Sequence, residues 1–340
     1  MIFNNCLGLV QYIIFPVYPV TNLPDDAFIG LYGTHGVGSH GMSIINGLLF
    51  LYYFSKFKHD KRKYSLYMFL FFLFSFVMAL YGMGLMIMIV TCLSYYLIVK
   101  RSLKLILGVL FFIGVIYLFM FIINPVTLKY NINNVKSFVD GFEKLDKKPD
   151  TVATRIPRKL FVYYYYKKHY MTDSKRFLIG TGPGTFNSRV SFLLNGDYSP
   201  GNPFEKIFGV HNPKYAAKYI YPLWDKKILS KLYFDGTRNQ PFSSIISLLA
   251  EYGFVFCLIL SFVVFKKIKY IIKRLKESAQ NKSAVILKDF ILLGSLFMLL
   301  NLFADNLLEF TEVLFFILLV KFIEVYSIFI VKQHHAPLAV

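Results

Sequence analysis

Long apolar runs separated by short polar turns make up most of the chain, and one polar interval breaks the alternation. The longest run covers residues 64–99. As one helix rising 1.5 Å per residue, it would overshoot a hydrocarbon core of about 30 Å. Tyr81-Gly82-Met83-Gly84 supplies a break, since glycine weakens a helix interior. The pattern therefore predicts helices over 64–80 and 83–99. Further apolar helices are predicted over 2–20, 42–55, 105–123, 242–265, 285–303 and 308–331. The first is interrupted by Gln11, Pro16 and Pro19. Between the fifth and sixth runs lies a polar interval from Asn124 to Pro241.

Composition agrees with a membrane solvent. Of the 340 residues, 56% are hydrophobic, above the roughly 45–50% of soluble domains. The net charge of +19 would suggest nucleic acid in a soluble protein, but no nucleic-acid-binding motif is present. Much of the charge falls in short turns instead: Lys56 to Lys63, Lys100 to Lys104, and Lys266 to Lys282. Short cytoplasmic loops of membrane proteins carry such an excess. Placing all three turns in the cytoplasm gives one self-consistent topology. Both termini are then cytoplasmic, and residues 21–41, 124–241 and 304–307 are external. The expected fold is an all-α integral membrane protein. It has about eight transmembrane helices and one large, partly helical external loop, periplasmic or extracellular. Three segments follow along the chain: N-terminal helices over 1–123, the loop over 124–241 and C-terminal helices over 242–340.

Cys6, Cys92 and Cys257 all sit in apolar runs and read as small packing residues. The start, Met1-Ile2-Phe3-Asn4-Asn5, has no basic region and no small-residue cleavage site, so no cleaved leader is expected.

Candidate chemistry concentrates in the polar interval and its borders. Gly180-Thr181-Gly182-Pro183-Gly184-Thr185-Phe186 has two readings. Its amides can face a phosphate, or the turn can pack Phe186 against the helices. It is not a nucleotide P-loop, because Gly-Lys-Ser/Thr is missing. Glu251 stands among apolar residues of a predicted span. Intramembrane carboxylates usually face a polar interior, so it holds a cation, receives a proton or forms a structural ion pair. Asp305, Glu309 and Glu312 border the same outer end. Tyr163-Tyr164-Tyr165-Tyr166-Lys167-Lys168 reads as an interfacial helix whose rings can also stack on sugars. His35 and His40 flank a glycine turn on the same side.

Three of these stretches together resemble the O-antigen polymerase and O-antigen ligase family of bacterial membrane glycosyltransferases. Gly180 to Phe186 is similar to the glycine-rich motif of that family's large periplasmic loop. Gln240-Pro241-Phe242-Ser243-Ser244, continuing to Glu251-Tyr252-Gly253-Phe254, looks like its segment re-entering the membrane. Leu9-Val10-Gln11, followed by Asp25 and Gly30-Leu31-Tyr32-Gly33, resembles its glutamine helix and external glycine turn. Two departures stand out. Tyr81-Gly82-Met83-Gly84 occupies the place where members commonly carry Ser-Arg, and many members have more spans before the glutamine helix.

The resemblance implies a polysaccharide polymerase of the O-antigen or capsule type in the bacterial cytoplasmic membrane. Glycan passes from a polyprenyl-pyrophosphate-linked donor to a sugar hydroxyl of a lipid-linked acceptor on the outer face. The transfer it implies is inverting, with no cofactor and no metal; the loop has no Asp-x-Asp and no histidine cluster. The sibling activity is an O-antigen ligase-type transferase, and a polysaccharide flippase is the alternative of another class. Implied partners are the lipid-linked oligosaccharides, the bilayer, and a chain-length regulator and flippase of the same pathway; nucleic acid is not among them. Developing pyrophosphate charge calls for fixed cations, for which guanidinium forks are well shaped. Arg155, in Thr154-Arg155-Ile156-Pro157-Arg158, comes first, with Arg158, Arg189 and Arg238 as further candidates. The acceptor hydroxyl calls for a base, and His211, followed by Asn212, matches the family's pattern. Gly182, Gly184 and Glu251 complete the expected substrate-binding set. The plain alternative is that the loop cations and His211 are solvated surface groups.

Overall fold

A computed structural model describes residues 1–15, 28–32, 38–79, 82–100, 103–123, 125–144, 156–195, 201–224, 240–278 and 280–335. Among the described residues the chain is helical throughout, with no strand. The all-α expectation holds at that level. In chain order the helices are α1 (Ile2–Ile14), α2 (Gly38–Asp60), α3 (Lys63–Met78), α4 (Gly82–Ser94), α5 (Leu103–Ile123) and α6 (Pro125–Lys144). The polar interval continues with α7 (Arg158–His169), α8 (Ser174–Ile179), α9 (Arg189–Leu194) and α10 (Pro203–Phe208). A short helix, α11 (Ser244–Ser247), widens into a π-turn over Leu248–Tyr252, and α12 (Gly253–Glu277), α13 (Lys282–Ala304) and α14 (Thr311–His335) follow.

Two of these are long and apolar enough to cross a membrane: the combined helix Ser244–Glu277 and Lys282–Ala304. Ile2–Ile14, Lys63–Met78, Gly82–Ile98 and Ile113–Ile122 are apolar but shorter. The break near Gly82 appears where the pattern placed it, with α3 ending at Met78 and α4 starting at Gly82. One predicted boundary moves. The basic stretch from Lys266 does not open a loop, because α12 runs on to Glu277. Lysine is a good helix former, and Ile271 and Leu275, one turn apart, are buried among the charges.

The chain divides into two compact units. The first comprises Met1–Leu128, Val264–Leu300 and Thr311–Val340. Buried amides tie its first helices together. Asn5 and Asn46 exchange side-chain hydrogen bonds at 2.7 and 3.1 Å, joining α1 to α2. Gln11 accepts from the Gly30 N–H at 2.8 Å and donates to the Gly30 carbonyl at 3.0 Å. The glutamine and glycine turn singled out in the sequence therefore meet. Two carboxylates buried in this unit are ion-paired: Asp289 with Lys58 and His59, and Glu324 with Lys267 and Lys321.

The second unit comprises Lys129–Val263 and Asn301–Phe310. Its core is aromatic. Tyr166 and Tyr170 of α7 and its end, Phe186, Phe192 and Phe242 pack with Val162, Ile220 and Ile246. Its short helices start at designed-looking caps in the sequence. Asp173 accepts from the Lys175 and Arg176 amides at the head of α8. Ser188 accepts from Ser191 at α9, and Asn202 accepts from Glu205 at α10, where Pro203 occupies the first turn. Such side chains satisfy amides that have no partner within the helix.

Candidate functional site

The second unit is built on a clasp between the glycine-rich turn and the π-turn ahead of α12. Thr181 N–H donates to the Ala250 carbonyl at 3.0 Å and Gly182 N–H to the Glu251 carbonyl at 2.8 Å. The Glu251 side chain then accepts three amides: Gly184 at 2.7 Å, Phe186 at 3.1 Å and Ser188 at 3.1 Å. Glu251 is 2% exposed. The backbones of Gly180 and Gly253 nearly touch. A Cβ on Gly180 would stand 2.5 Å from the Glu251 carbonyl oxygen, and one on Gly253 would overlap the Leu178 carbonyl. Both have positive φ, 79° and 84°, which side chains rarely adopt. The clasp explains why Gly180 and Glu251-Tyr252-Gly253 occur together. It also occupies the amides of Gly182 and Gly184, and turns Phe186 into the aromatic core, 1% exposed.

A cluster of charged groups lies beyond the clasp, in the same unit. Asn301–Phe310 passes from the end of α13 through a turn to the start of α14. Its Asp305 carbonyl accepts the Ser244 N–H at 2.9 Å. The first residue of one membrane-long helix and the end of the other are thereby joined. Asn306 fastens the junction, donating to the Asn187 carbonyl at 2.8 Å and accepting from Ser247 Oγ at 3.1 Å.

Lys159, 2% exposed, donates from Nζ to the carbonyls of Phe242, at 2.5 Å, and Ala304. One turn along α7, the Tyr163 hydroxyl donates to the Phe303 carbonyl at 2.7 Å. The i, i+4 pair thus covers the carbonyl end of α13, where a cation also suits the helix dipole. Burial pushes the Lys159 ammonium down to about 8, with Asp305 opposing the shift and Arg189 adding to it.

Arg189 opens α9. Its guanidinium lies 4.5 Å from the Phe242 ring and 4.4 Å from the Phe310 ring, and Nη2 is 3.5 Å from Asp305 Oδ1. It is held in place yet 13% exposed at the side chain. Its backbone N–H donates to Glu309 Oε2 at 2.7 Å. Surrounding protein pushes the Glu309 carboxyl up to about 7, against the pull of the Arg189 amide and guanidinium; Glu251 and Asp305 add to the rise. One face of Glu309 is open to solvent, which screens part of that push. A guanidinium and a carboxyl of raised pKa therefore lie at one helix start, the carboxyl on the Arg189 backbone N–H, an arrangement able to hold an anion and take up a proton.

The other sequence candidates are placed as follows. Arg158 is buried and its Nη1 donates to the Leu223 carbonyl at 2.6 Å, tying α7 to the 221–223 turn. His211 is exposed; its backbone N–H donates to the Leu194 carbonyl at 2.8 Å, and its imidazole makes no hydrogen bond or ion pair among the described residues. Arg155 and Arg238 lie outside the described residues, as does His35. Glu312 falls in the first unit. Sequence reasoning missed Lys159, which reads as one more cation in Arg158-Lys159. The available signal was Lys159 and Tyr163 at helical spacing, separated by the apolar Leu160-Phe161-Val162.

No protein-family model, curated protein or solved structure matches this chain.

Proposed function

We propose that the chain is an integral membrane glycosyltransferase that polymerises lipid-linked saccharide units on the outer face of the bacterial cytoplasmic membrane. The observation carrying this reading is the placing of the Arg189 guanidinium, paired with Asp305, and of the Glu309 carboxyl, bound to the Arg189 backbone N–H, at the junction of the two membrane-long helices. Arg189 supplies a fixed, planar cation for the leaving pyrophosphate, in an apolar setting where such charges act strongly. Glu309 takes the proton from the acceptor hydroxyl as the new glycosidic bond forms, and a base near neutrality suits that task. The charge distribution supports the outer face. The helix Gly253–Glu277 has 25 residues, about 37 Å at 1.5 Å per residue, so its lysine-rich end near Lys276 extends beyond a hydrocarbon core of about 30 Å. Lysines at that end favour the cytoplasm, and the Ser244 end with its charged cluster then faces outward. The full topology proposed has eight spans. A reporter fused at Asn195 is expected to read external and one at Lys61 cytoplasmic; the reverse orientation overturns the outer-face assignment.

The direct test is purified protein with polyprenyl-pyrophosphate-linked repeat units. A ladder of longer glycans and free lipid pyrophosphate is expected; translocation without a ladder would support a flippase instead. The rate should rise with pH as Glu309 ionises, above the ordinary carboxylate range and with a midpoint no higher than about 7, since only the ionised form is a base. Glu309→Gln is expected to lower the rate by roughly 10²–10⁴-fold and remove that limb. If Glu309→Gln keeps both rate and limb while His211→Ala loses them, the base is His211.

A further inference from the structure

An aromatic surface on the second unit takes no part in the chemistry proposed above. It is formed where α7 and its end meet the 215–220 turn. The His169 and Tyr219 rings stack with centroids 4.2 Å apart and planes at 22°. Tyr165 lies 5.1 Å from Tyr219, and Tyr215 lies 6.1 Å from His169. All four residues are half-buried, so each is packed on one side and open on another. The Arg176 guanidinium sits 4.4 Å from the Tyr215 ring. It is anchored there by the His169 carbonyl at 3.3 Å and by Asp173 at 3.3 Å.

The fringe is basic. Lys168, Lys175, Lys214 and Lys218 are exposed on the same elements. Over 164–176 and 214–219 the only acid is Asp173, and Arg176 already engages it. Burial, then Lys168, Lys218 and Arg176, pull the His169 imidazole below its ordinary range. Its Nε2 has no hydrogen-bond partner among the described residues.

We propose that this platform binds the acidic polysaccharide chain of the growing product, with sugar faces on the rings and sugar carboxylates or phosphates on Arg176 and the lysines. This rests on the polymerase reading and names its substrate class: a glycan carrying negative charge. Three features favour a glycan. Tyr and His rings offer flat apolar faces with polar edges, which match the alternating C–H and hydroxyl surfaces of a pyranose. Anchored guanidinium suits carboxylate or phosphate oxygens. A helix that beds into lipid needs an apolar face, whereas Met171 is the sole large aliphatic side chain exposed over 164–176 and 214–219, with Leu178 and Ile179 exposed at the end of α8.

The test uses the full-length protein in nanodiscs of neutral lipid, with an oligogalacturonate as acidic probe and a maltooligosaccharide of equal length as neutral probe. Oligogalacturonate is expected to bind more tightly than the neutral probe. Tyr219→Leu and Arg176→Gln should each weaken it by about tenfold, while Tyr219→Phe keeps the ring and keeps binding. Equal affinity for both probes, or wild-type affinity in both weakening variants, overturns the proposal. So does a result in which those variants lose association with phosphatidylglycerol vesicles but retain oligogalacturonate, which would assign the surface to lipid. The binding measurement needs no glycosyl transfer. A wild-type protein that binds the acidic probe but makes no ladder leaves the platform standing and removes the polymerase. One that makes ladders of unaltered length in Tyr219→Leu and binds no probe removes the platform alone.

Discussion

Arg189→Ala is expected to reduce chain elongation by roughly 10²–10³-fold, the usual effect of removing one fixed donor from a site that stabilises developing charge, while the protein stays folded. The fold tolerates the loss because the backbone at this point is fastened by other groups. The Arg189 backbone still donates to Glu309, and α9 is capped independently by Ser188. Asp305 keeps its bond from the Asn306 N–H at 2.7 Å and the attraction of the Lys159 ammonium. The gap opens between Phe242 and Phe310, at the edge of the aromatic core, where the Arg189 side chain is 13% exposed. Arg189→Lys restores charge without the planar fork or the two-sided ring stacking, so it should fall between wild type and alanine. Ladder formation from lipid-linked units, read beside the thermal midpoint in detergent, separates these outcomes. Full elongation in Arg189→Ala would remove this cation from the mechanism.

The same residues show what sequence can and cannot disclose. Hydrophobic patterning located the helical breaks at Gly82 and at the polar interval, because period and length are local properties of the chain. Gly180, Gly253 and Glu251 also stood out. Positive φ admits little but glycine, and a carboxylate in an apolar run demands partners. Their pairing did not follow from sequence, since the amides that satisfy Glu251 come from residues more than sixty positions earlier. Lys159 was invisible for a related reason. In Arg158-Lys159 it looks solvated, and only the approach of the Ala304 carbonyl, 145 positions away, makes it a buried cap. Arg189 was named among four arginines, with nothing local to rank it first; the rings of Phe242 and Phe310 single it out. The helical reach of α12 through its lysines was misjudged because charge alone was taken to end a helix.

Glu251→Ala is expected to unfasten the second unit. Three buried amides lose their acceptor together, at roughly 1–3 kcal/mol each, against a total stability of roughly 5–15 kcal/mol for a typical domain. The 180–188 turn should then become protease-sensitive, and the thermal midpoint in detergent should fall by the largest amount of any single change considered. Gly253→Ala reaches a similar end by another route. Its Cβ meets backbone, the Leu178 carbonyl and the Gly180 amide, and backbone cannot swing aside as a flexible side chain can. Glu251→Gln discriminates between a clasp and a chemical group. A glutamine oxygen can still accept from Phe186 and Ser188, but its NH₂ would face the Gly184 N–H, donor against donor. A clasp therefore predicts partial destabilisation, with elongation surviving in the fraction that remains folded. A Glu251→Gln protein as stable as wild type and devoid of elongation would show instead that the carboxylate itself serves the reaction.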